Sequence, residues 1–239
     1  MREFVIGDIH GGYNALMQCF DRSGFNKKED KLVVLGDVVD GWPDVKEVVE
    51  ELLSCDHVIS VIGNHDWWFM QWVKTLREDS IWTSQGGAAT LKSYAGDLDL
   101  ATRHYDEYFA KCKDYYLDEN NNLFVHGGID WHKPIEEQSL TDLMWDRHMY
   151  ETAFWWKHRD QDYKFGDYQT VFIGHTTTQY SPARRLGAPG STEPMFYSNL
   201  IALDTGGGWS GKLTIMDINT KEYWQSELVP TLYPGIKGR

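Results

Sequence analysis

Cysteine is scarce in this sequence: three residues, Cys19, Cys55 and Cys112, lie far apart in a chain of 239 residues. Their spacing is not that of a zinc or iron–sulfur motif, and an odd number leaves one thiol outside any set of disulfides. We therefore predict reduced thiols that pack as small buried side chains. A chain of this length buries about 70–75% of its unfolded surface, so its core does not need disulfide support.

Long apolar runs are also missing, because no stretch approaches the ~20 residues that a membrane-spanning helix needs. The first residues enter a strand-like segment directly, without an apolar leader in front of it. These absences predict a soluble, cytoplasmic protein with no membrane partner.

Basic charge is in the minority, with 23 Lys and Arg against 36 Asp and Glu and a formal net charge of -13. Proteins that bind nucleic acid through its phosphates usually carry a basic face, so we predict no broad nucleic-acid surface. No linker, internal repeat or low-complexity tract divides the chain, and we predict a single domain over residues 1–239.

The first third of the chain alternates apolar strands with helices. Strands are predicted at 4–6, 32–35 and 58–62, with helices at 14–19 and 44–53 between them. This alternation indicates parallel βαβ units. Each strand ends in Gly-Asp or Gly-Asn, and ligands of parallel sheets bind beyond the carboxyl ends of the strands.

The rest of the chain predicts more strands and one long helical region. Residues 115–125 predict a β-hairpin, 140–156 a mostly helical segment, and 171–173 another buried strand. Three strands near the end are predicted to be antiparallel, at 200–203, 213–218 and 222–226.

Metal-type ligands follow five of these strands. An isolated Asp at a strand end is more often a helix cap, and a lone His is more often a core or surface residue. Here, however, glycine adjoins every one of the five ends, where the chain must turn tightly. Carboxylate, imidazole and carboxamide donors without thiolate suit divalent ions such as Mn, Fe, Zn or Ni. The predicted ligands are Asp8, His10, Asp37, Asn64, His126 and His175.

Three strand-end segments are specific enough to indicate a family. They are Gly-Asp-Ile-His-Gly at 7–11, Gly-Asp-Val-Val-Asp-Gly at 36–41 and Gly-Asn-His-Asp at 63–66. Together they resemble the calcineurin-like metallophosphoesterase superfamily. The pattern is similar to its phosphoprotein phosphatase type, which includes bacterial and phage serine/threonine phosphatases and symmetrical diadenosine tetraphosphatases. Further matching segments follow in the same order at 86–91, 126–128, 143–147, 174–176 and 204–206.

The resemblance implies an α/β fold, a four-layer α/β/β/α sandwich of two mixed sheets with a two-metal site at the carboxyl ends of the strands. The cofactors would be two divalent ions, with manganese expected and Fe, Zn or Ni as alternatives. Two such ions activate a bridging water and hold a phosphate for in-line attack, so no covalent phosphoenzyme is expected. In this scheme Asp37 bridges the two ions. The other ligands divide between the two, Asp8 and His10 on the first and Asn64, His126 and His175 on the second.

The resemblance also implies residues that act on the substrate. His65 would protonate the leaving oxygen and Asp40 would orient it, since a carboxylate–imidazole pair keeps such a histidine cationic enough to act as an acid. Arg147 and Asn64 would bind the substrate phosphate.

One residue of the family pattern is missing. The family usually has Arg directly after the aspartate that matches Asp40, and this Arg holds the substrate phosphate. Gly41 stands in its place here, so one bidentate phosphate contact is absent. Arg184 or Arg185, in a predicted surface loop at 181–194, could replace it or could be solvated loop charges.

Tryptophan is abundant, with 11 residues, and four of them closely follow site motifs. These four could line the pocket rim and stack a nucleobase, or pack in the core. Trp68 and Trp72 are expected in the core because they have helical spacing. The four near the motifs are Trp42, Trp67, Trp131 and Trp209.

Two enzyme functions fit the pattern. The leading hypothesis is a phosphomonoesterase of the protein serine/threonine phosphatase type, and the alternative is a nucleotide-directed hydrolase of the same fold, cleaving a dinucleoside polyphosphate or a phosphodiester. Asp40 favours the first because the diadenosine branch normally lacks it, whereas Gly41 and the tryptophans favour the second. The expected partner is a phosphorylated protein or a small phosphoester or nucleotide. A non-catalytic scaffold would be expected to have lost a ligand or His65, and all are present.

Overall fold

Short apolar runs form the strands of the protein. Phe4, Val5 and Ile6 of the first strand have no exposed surface, and neither do Val33 and Val34 of the second. Both faces of these strands are covered, as is usual for continuous apolar runs in parallel sheets. The computed structural model describes residues 1–184, 187 and 189–239. Its strands are Glu3–Ile6 (β1), Lys31–Val34 (β2), Val58–Ser60 (β3), Tyr116–Leu117 (β4), Asn122–Val125 (β5), Thr170–Ile173 (β6), Met195–Tyr197 (β7), Leu200–Ala202 (β8), Thr214–Asp217 (β9) and Tyr223–Gln225 (β10).

Helices fill most of the connections between the early strands. The segment predicted to be helical at 140–156 forms two helices, because Asp146 takes an extended conformation with ψ 132° and ends the first of them. No helix within the described ranges combines the length and the apolar character needed to cross a membrane. The α-helices are Tyr13–Ser23 (α1), Val45–Leu53 (α2), Asn64–Thr75 (α3), Ser80–Trp82 (α4), Ala88–Tyr94 (α5), Leu98–Glu107 (α6), Leu140–Trp145 (α7), His148–His158 (α8) and Val229–Leu232 (α9).

The strands form two mixed sheets of five strands each. Sheet 1 has the order β10-β9-β1-β2-β3, and sheet 2 has the order β4-β5-β6-β8-β7. In sheet 1, β1, β2 and β3 are parallel, while β9 runs antiparallel to β1 and β10. In sheet 2, β5, β6 and β8 are parallel, and β4 and β7 run antiparallel at the edges. The parallel βαβ arrangement and the hairpin predicted from the sequence are confirmed.

The prediction of antiparallel strands near the end is confirmed for β9 and β10, which pair antiparallel with each other, and is wrong for β8. The strand β8 pairs parallel with β6 and antiparallel with β7, a strand that the sequence analysis did not predict. The strand β9 lies in the other sheet, between β1 and β10. Apolar patterning identifies a strand, but the choice of partner depends on residues far away in the chain.

An apolar layer joins the two sheets. Phe124 and Phe172 of sheet 2 stack with their ring centroids 4.8 Å apart and pack in one cluster with Val5 of sheet 1. A second cluster packs α1, α2, α3 and α6 on the outer face of sheet 1 and includes the buried Cys19 and Cys55, and a third packs α7 and α8 on sheet 2. The order of layers is helices, sheet, sheet, helices, which confirms the predicted α/β/β/α sandwich.

Candidate metal centre

The six predicted ligands lie together at one end of the parallel strands. Asp8 follows β1, Asp37 follows β2, His126 directly follows β5 and His175 follows β6. Asn64 opens α3, shortly after β3. All six are buried, with His10 and Asp8 only 1% exposed. Both sheets therefore contribute side chains to a single buried cluster.

Asp37 belongs to two groups of ligand atoms at once. Asp8, His10 and Asp37 offer one atom each within 4.8 Å of one another, and Asp37, His126 and His175 do the same. The shared carboxylate has the placement expected of a group that bridges two cations. Asn64 joins the second group through its Oδ1, which lies 3.1 Å from Nε2 of His126.

Glycines allow these side chains to come this close. A Cβ on Gly63 would lie 2.2 Å from Oδ1 of Asp37, and a Cβ on Gly174 would lie 2.2 Å from Oδ1 of Asp8. The chain also bends sharply at the ligands, since His10, Asp37 and His175 have φ values of 50°, 50° and 60°. Left-handed conformations cost energy in residues other than glycine, and such strain concentrates at functional sites.

Backbone carbonyls orient two of the imidazoles. Nδ1 of His10 lies 3.0 Å from the oxygen of Val39, and Nδ1 of His126 lies 2.6 Å from the oxygen of Leu35. A carbonyl only accepts, so each Nδ1 donates and each Nε2 is the ring nitrogen left to face the cluster. This second contact is typical of histidines that bind a metal.

Several buried polar atoms of the cluster have no hydrogen-bond partner within the described part of the chain. They are Oδ2 of Asp37 and both ring nitrogens of His175. An unpaired buried polar atom is costly. A cation would satisfy Oδ2 of Asp37 and one ring nitrogen of His175, so the residues present fit a divalent metal.

The electrostatics of the cluster also call for positive charge. Burial raises the pKa of Asp8 well above its usual range, and the charge of Asp204 raises it further. Burial opposes ionisation of Asp37 too, but the nearby His126 holds the pKa of this carboxyl well below its usual range. Burial alone would lower the pKa of His126, and the charge of Asp37 instead raises it to about 9. Without a bound cation, the imidazole of His126 thus provides the positive charge that balances the carboxylate of Asp37.

His65 and Asp40 form a buried pair beside the cluster. Nδ1 of His65 lies 2.6 Å from Oδ2 of Asp40, and the backbone N–H of His65 donates to Oδ1 of Asp37 at 2.9 Å. Asp40 also accepts hydrogen bonds from Trp82 Nε1 at 2.8 Å and Thr90 Oγ1 at 2.5 Å. Trp82 had no sequence signal, whereas Thr90 lies in the matching segment 86–91.

The protonation of this pair differs from the sequence-based expectation. Burial lowers the pKa of His65 to about 3 and raises the pKa of Asp40 to about 8. We expected a cationic imidazole, but burial opposes charge on both groups. A proton on His65 therefore requires an anion beside the ring.

Two arginines reach the cluster. Nη1 of Arg147 lies 3.5 Å from the oxygen of His175 and 3.3 Å from Oγ1 of Thr176. Nη1 of Arg239 lies 2.7 Å from Nε2 of His65 and 3.1 Å from Nε2 of His10. Arg147 was predicted, whereas no motif in the sequence indicated Arg239.

The position of the missing family arginine has an unusual backbone. Gly41 has a φ of 88°, which an L side chain rarely adopts, and its N–H donates to Gly86. Of the loop residues expected as replacements, Arg184 is exposed and Arg185 lies outside the described residues.

The tryptophans divide between core and rim. Trp42 is 1% exposed and donates to Gly207 from Nε1, Trp72 is buried, and Trp209 is 46% exposed. Trp131 packs edge-on against Phe165, away from the ligands, and Trp67 is half-buried. The expectation of a core position is confirmed for Trp72 but not for Trp68. The half-buried ring of Trp68 lies 5.0 Å from that of His65 and 5.2 Å from that of Trp145.

Two curated relatives have the same name, symmetrical bis(5'-nucleosyl)-tetraphosphatase. The protein from Buchnera aphidicola subsp. Acyrthosiphon pisum (strain Tuc7) is 45% identical over 67 residues, which cover 28% of this chain and 24% of that protein. The match thus spans about a quarter of this relative's length. The protein from Coxiella burnetii (strain CbuG_Q212) is 23% identical, over 94% of this chain and 92% of its own.

Two solved structures share the fold. A candidate diadenosine tetraphosphatase has a TM-score of 0.67 at 22% identity, with 94% of this chain and 92% of that chain covered. The second is a protein serine/threonine phosphatase from Saccharomyces cerevisiae with similarity to human phosphatase PP5. It has a TM-score of 0.61 at 14% identity, with 100% of this chain and 82% of that chain covered. The family model of the calcineurin-like phosphoesterases matches residues 1–184, more than half of the chain. With the ligand cluster and the two-sheet fold, this match shows that the chain belongs to the calcineurin-like phosphoesterase family.

Proposed function

We propose that the protein is a phosphoester hydrolase that works with two divalent metal ions. The carboxylate of Asp37, shared by two buried groups of ligand atoms, carries this proposal. Its Oδ2 has no hydrogen-bond partner in the described part of the chain and faces the imidazoles of His10 and His126 at 3.5 and 3.3 Å. Because this buried oxygen lies between two sets of ligand atoms, the arrangement fits two bound cations better than a single cation.

The other ligands divide between the two ions as the resemblance implies. Asp8 and His10 would hold the first ion, and Asn64, His126 and His175 would hold the second. When bound, the ions supply an activated water and neutralise the phosphate oxygens. Oxygen and imidazole donors without thiolate support manganese as the native metal, with Fe, Zn or Ni as alternatives.

Side chains around the ions complete the reaction. Arg147 binds a phosphate oxygen, because its guanidinium reaches the His175 end of the cluster. His65 delivers a proton to the leaving oxygen from Nε2, and Asp40 holds the ring through Nδ1. Asn64 contributes a further contact to the phosphate.

A dinucleoside polyphosphate is the substrate class that we favour. Both relatives with the name symmetrical bis(5'-nucleosyl)-tetraphosphatase support it, as does the fold shared with a candidate diadenosine tetraphosphatase. Exposed aromatic faces stand at the site: Trp145 is 38% exposed with its ring 5.9 Å from that of His175, and Trp209 is 46% exposed. Such faces stack nucleobases. This ranking reverses the one drawn from the sequence alone.

A phosphoserine or phosphothreonine protein is the second candidate, and the pair of His65 and Asp40 favours it. An alkoxide leaving group needs a proton donor much more than a nucleotide leaving group does. The fold shared with the yeast serine/threonine phosphatase is consistent with this substrate.

A substrate panel tests both candidates with one purified protein. Turnover is measured with Mn, and again after EDTA, on diadenosine tetraphosphate, a phosphoserine peptide, p-nitrophenyl phosphate and its diester. We expect Mn-dependent hydrolysis, with the highest kcat/KM for diadenosine tetraphosphate. A higher kcat/KM for the phosphopeptide would favour the second candidate.

Matched variants show whether the cluster is the site of the reaction. Asp37→Asn should abolish hydrolysis, whereas Asp106→Asn, the same change at an exposed position, should leave it intact. Hydrolysis that survives EDTA, or survives in Asp37→Asn, would contradict the two-metal proposal.

A further inference from the structure

A guanidinium from the other end of the sequence enters the candidate site. The side chain of Arg239 is only 9% exposed, and its Nη1 lies 3.6 Å from Oδ2 of Asp37. The same nitrogen lies 2.7 Å from Nε2 of His65 and 3.1 Å from Nε2 of His10. These are the carboxylate that joins the two ligand groups, the proposed proton donor and a proposed ligand of the first ion.

The segment around Arg239 is held in place by specific contacts. The backbone N–H of Arg239 donates to the oxygen of Gly208 at 2.9 Å, and its guanidinium lies over the ring of Trp209 at 5.0 Å. Gly238 packs so closely that a Cβ there would lie 2.7 Å from both the oxygen of Gly208 and the ring of Trp42. The position of the arginine is therefore built into the packing of this segment.

The guanidinium is poorly satisfied where it lies. Within the described ranges, its side-chain hydrogen bonds go to imidazole nitrogens rather than to oxygens, and its buried Nε has no partner. A guanidinium has five N–H donors in a planar fork that matches the oxygens of a phosphate or carboxylate. The carboxylate oxygen of Asp37 lies just beyond hydrogen-bond distance at 3.6 Å. Because burial without oxygen partners is costly, the donors of this guanidinium are placed to bind an oxyanion.

The two arginines approach the cluster at different histidines. Arg239 contacts His10 and His65, whereas Arg147 lies at the backbone oxygen of His175. Burial lowers the pKa of the Arg147 guanidinium, and the charge of Arg239 is the next largest cause. Arg147 is exposed and the Arg239 side chain is only 9% exposed. Two cations that repel each other at one cluster favour the binding of an anion between them.

We propose that Arg239 binds the substrate phosphate and, together with Arg147, clamps it against the metal ions. This inference rests on the proposed phosphoester hydrolysis and names a further residue of that site. Nε2 of His10 is a proposed metal ligand atom. With an ion bound there, Arg239 would give up this contact and its donors would be available to the phosphate. The same segment passes Gly41, where a Cβ would lie 3.4 Å from the nitrogen of Arg239. Arg239 thus brings a guanidinium to the neighbourhood of position 41, where the family usually has an arginine and this chain has glycine.

Phosphate affinity tests the proposal without turnover. Inorganic phosphate is titrated by calorimetry into Mn-loaded protein carrying Arg239→Gln or Arg239→Lys, and the Mn content is measured by mass spectrometry. Removing a charged hydrogen bond should raise the Kd for phosphate about tenfold to a hundredfold in Arg239→Gln, with Mn content unchanged. Arg239→Lys keeps the charge but loses the fork, so its Kd should fall between those of wild type and Arg239→Gln.

Lys237→Gln is the matched control, because it removes one positive charge from an exposed residue of the same segment. Its phosphate affinity and KM should stay within about twofold of wild type, since an exposed charge is screened by salt. Far-UV circular dichroism and the thermal midpoint of each variant show whether it is folded.

Two results would overturn the proposal. Unchanged phosphate affinity in Arg239→Gln would mean that the arginine does not bind the anion. Faster turnover together with tighter Mn binding in Arg239→Gln would mean that the segment blocks the site instead. If wild type binds phosphate through Arg239 yet hydrolyses nothing in the substrate panel, the proposed function fails while this inference stands.

Discussion

At the scale of single residues, burial decides which groups carry charge. Asp40 and His65 have no exposed side-chain surface, and burial raises the pKa of the first to about 8 and lowers the pKa of the second to about 3. Burial therefore opposes charge on both groups. An anionic phosphate beside the ring would favour the protonated form, which is the form that a proton donor needs.

Replacement of the proposed proton donor gives a prediction at this scale. His65→Asn should bind Mn as wild type does, because His65 is not a proposed ligand. Its kcat should fall about 10²- to 10⁴-fold for a phosphoserine peptide, whose leaving group needs a proton, and much less for p-nitrophenyl phosphate. Steady-state kinetics on both substrates and a metal assay check this. Normal hydrolysis of the phosphopeptide by His65→Asn would refute the assignment.

At the scale of elements, the strand ends bring the proposed ligands together, and glycines make room for them. Each parallel strand delivers its polar residue at the carboxyl end, where the chain turns. Gly63 and Gly174 leave room that a Cβ would take from Asp37 and Asp8. The glycines beside the ligands are thus part of the geometry that brings two sheets to one centre.

Gly174→Ala should damage the first metal site. The added Cβ would lie 2.2 Å from Oδ1 of Asp8, so the carboxylate must move, and we expect the affinity for Mn to fall at least about tenfold. Calorimetric titration of metal-free protein with Mn measures this. Gly24→Ala is the control: its Cβ meets open space at a φ of 62°, so it should cost about 1–2 kcal/mol of stability and leave Mn affinity intact. Equal Mn affinity in both variants would contradict the role of Gly174.

At the scale of the whole molecule, two kinds of contact join the sheets: the apolar layer between them and the polar side chains of the candidate metal centre. Phe124 of sheet 2 packs with Val5 of sheet 1 in the layer between them, and Asp37 of sheet 1 meets His126 of sheet 2 at 3.3 Å. Arg239 returns from the end of the sequence to His10. We propose on this basis that residues 1–239 form one domain.

Metal binding should therefore stabilise the entire fold. A ligand at one hundred times its Kd adds about 2.7 kcal/mol to the free energy of unfolding, which raises the thermal midpoint of a protein of this size by about 5–10 °C. Calorimetric scans of metal-free protein with and without Mn measure the shift. In Asp37→Asn the shift should be largely lost, because both proposed ions use this carboxylate. A shift of the same size in Asp37→Asn would show that Mn binds elsewhere.

The sequence by itself predicted most of the strands, the helices of the first third and the set of candidate ligands, and its resemblance to a family implied the layered fold. This was possible because Asp8, Asp37 and Asn64 follow apolar runs within a few residues, and local patterning reveals both at once. Tertiary structure alone decided the partner of β8, the contact of Trp68 with His65 and the entry of Arg239 into the site. Arg239 is 229 residues from His10 and 174 from His65. Contacts over such separations depend on the packing of the whole chain and leave no periodic pattern in the sequence.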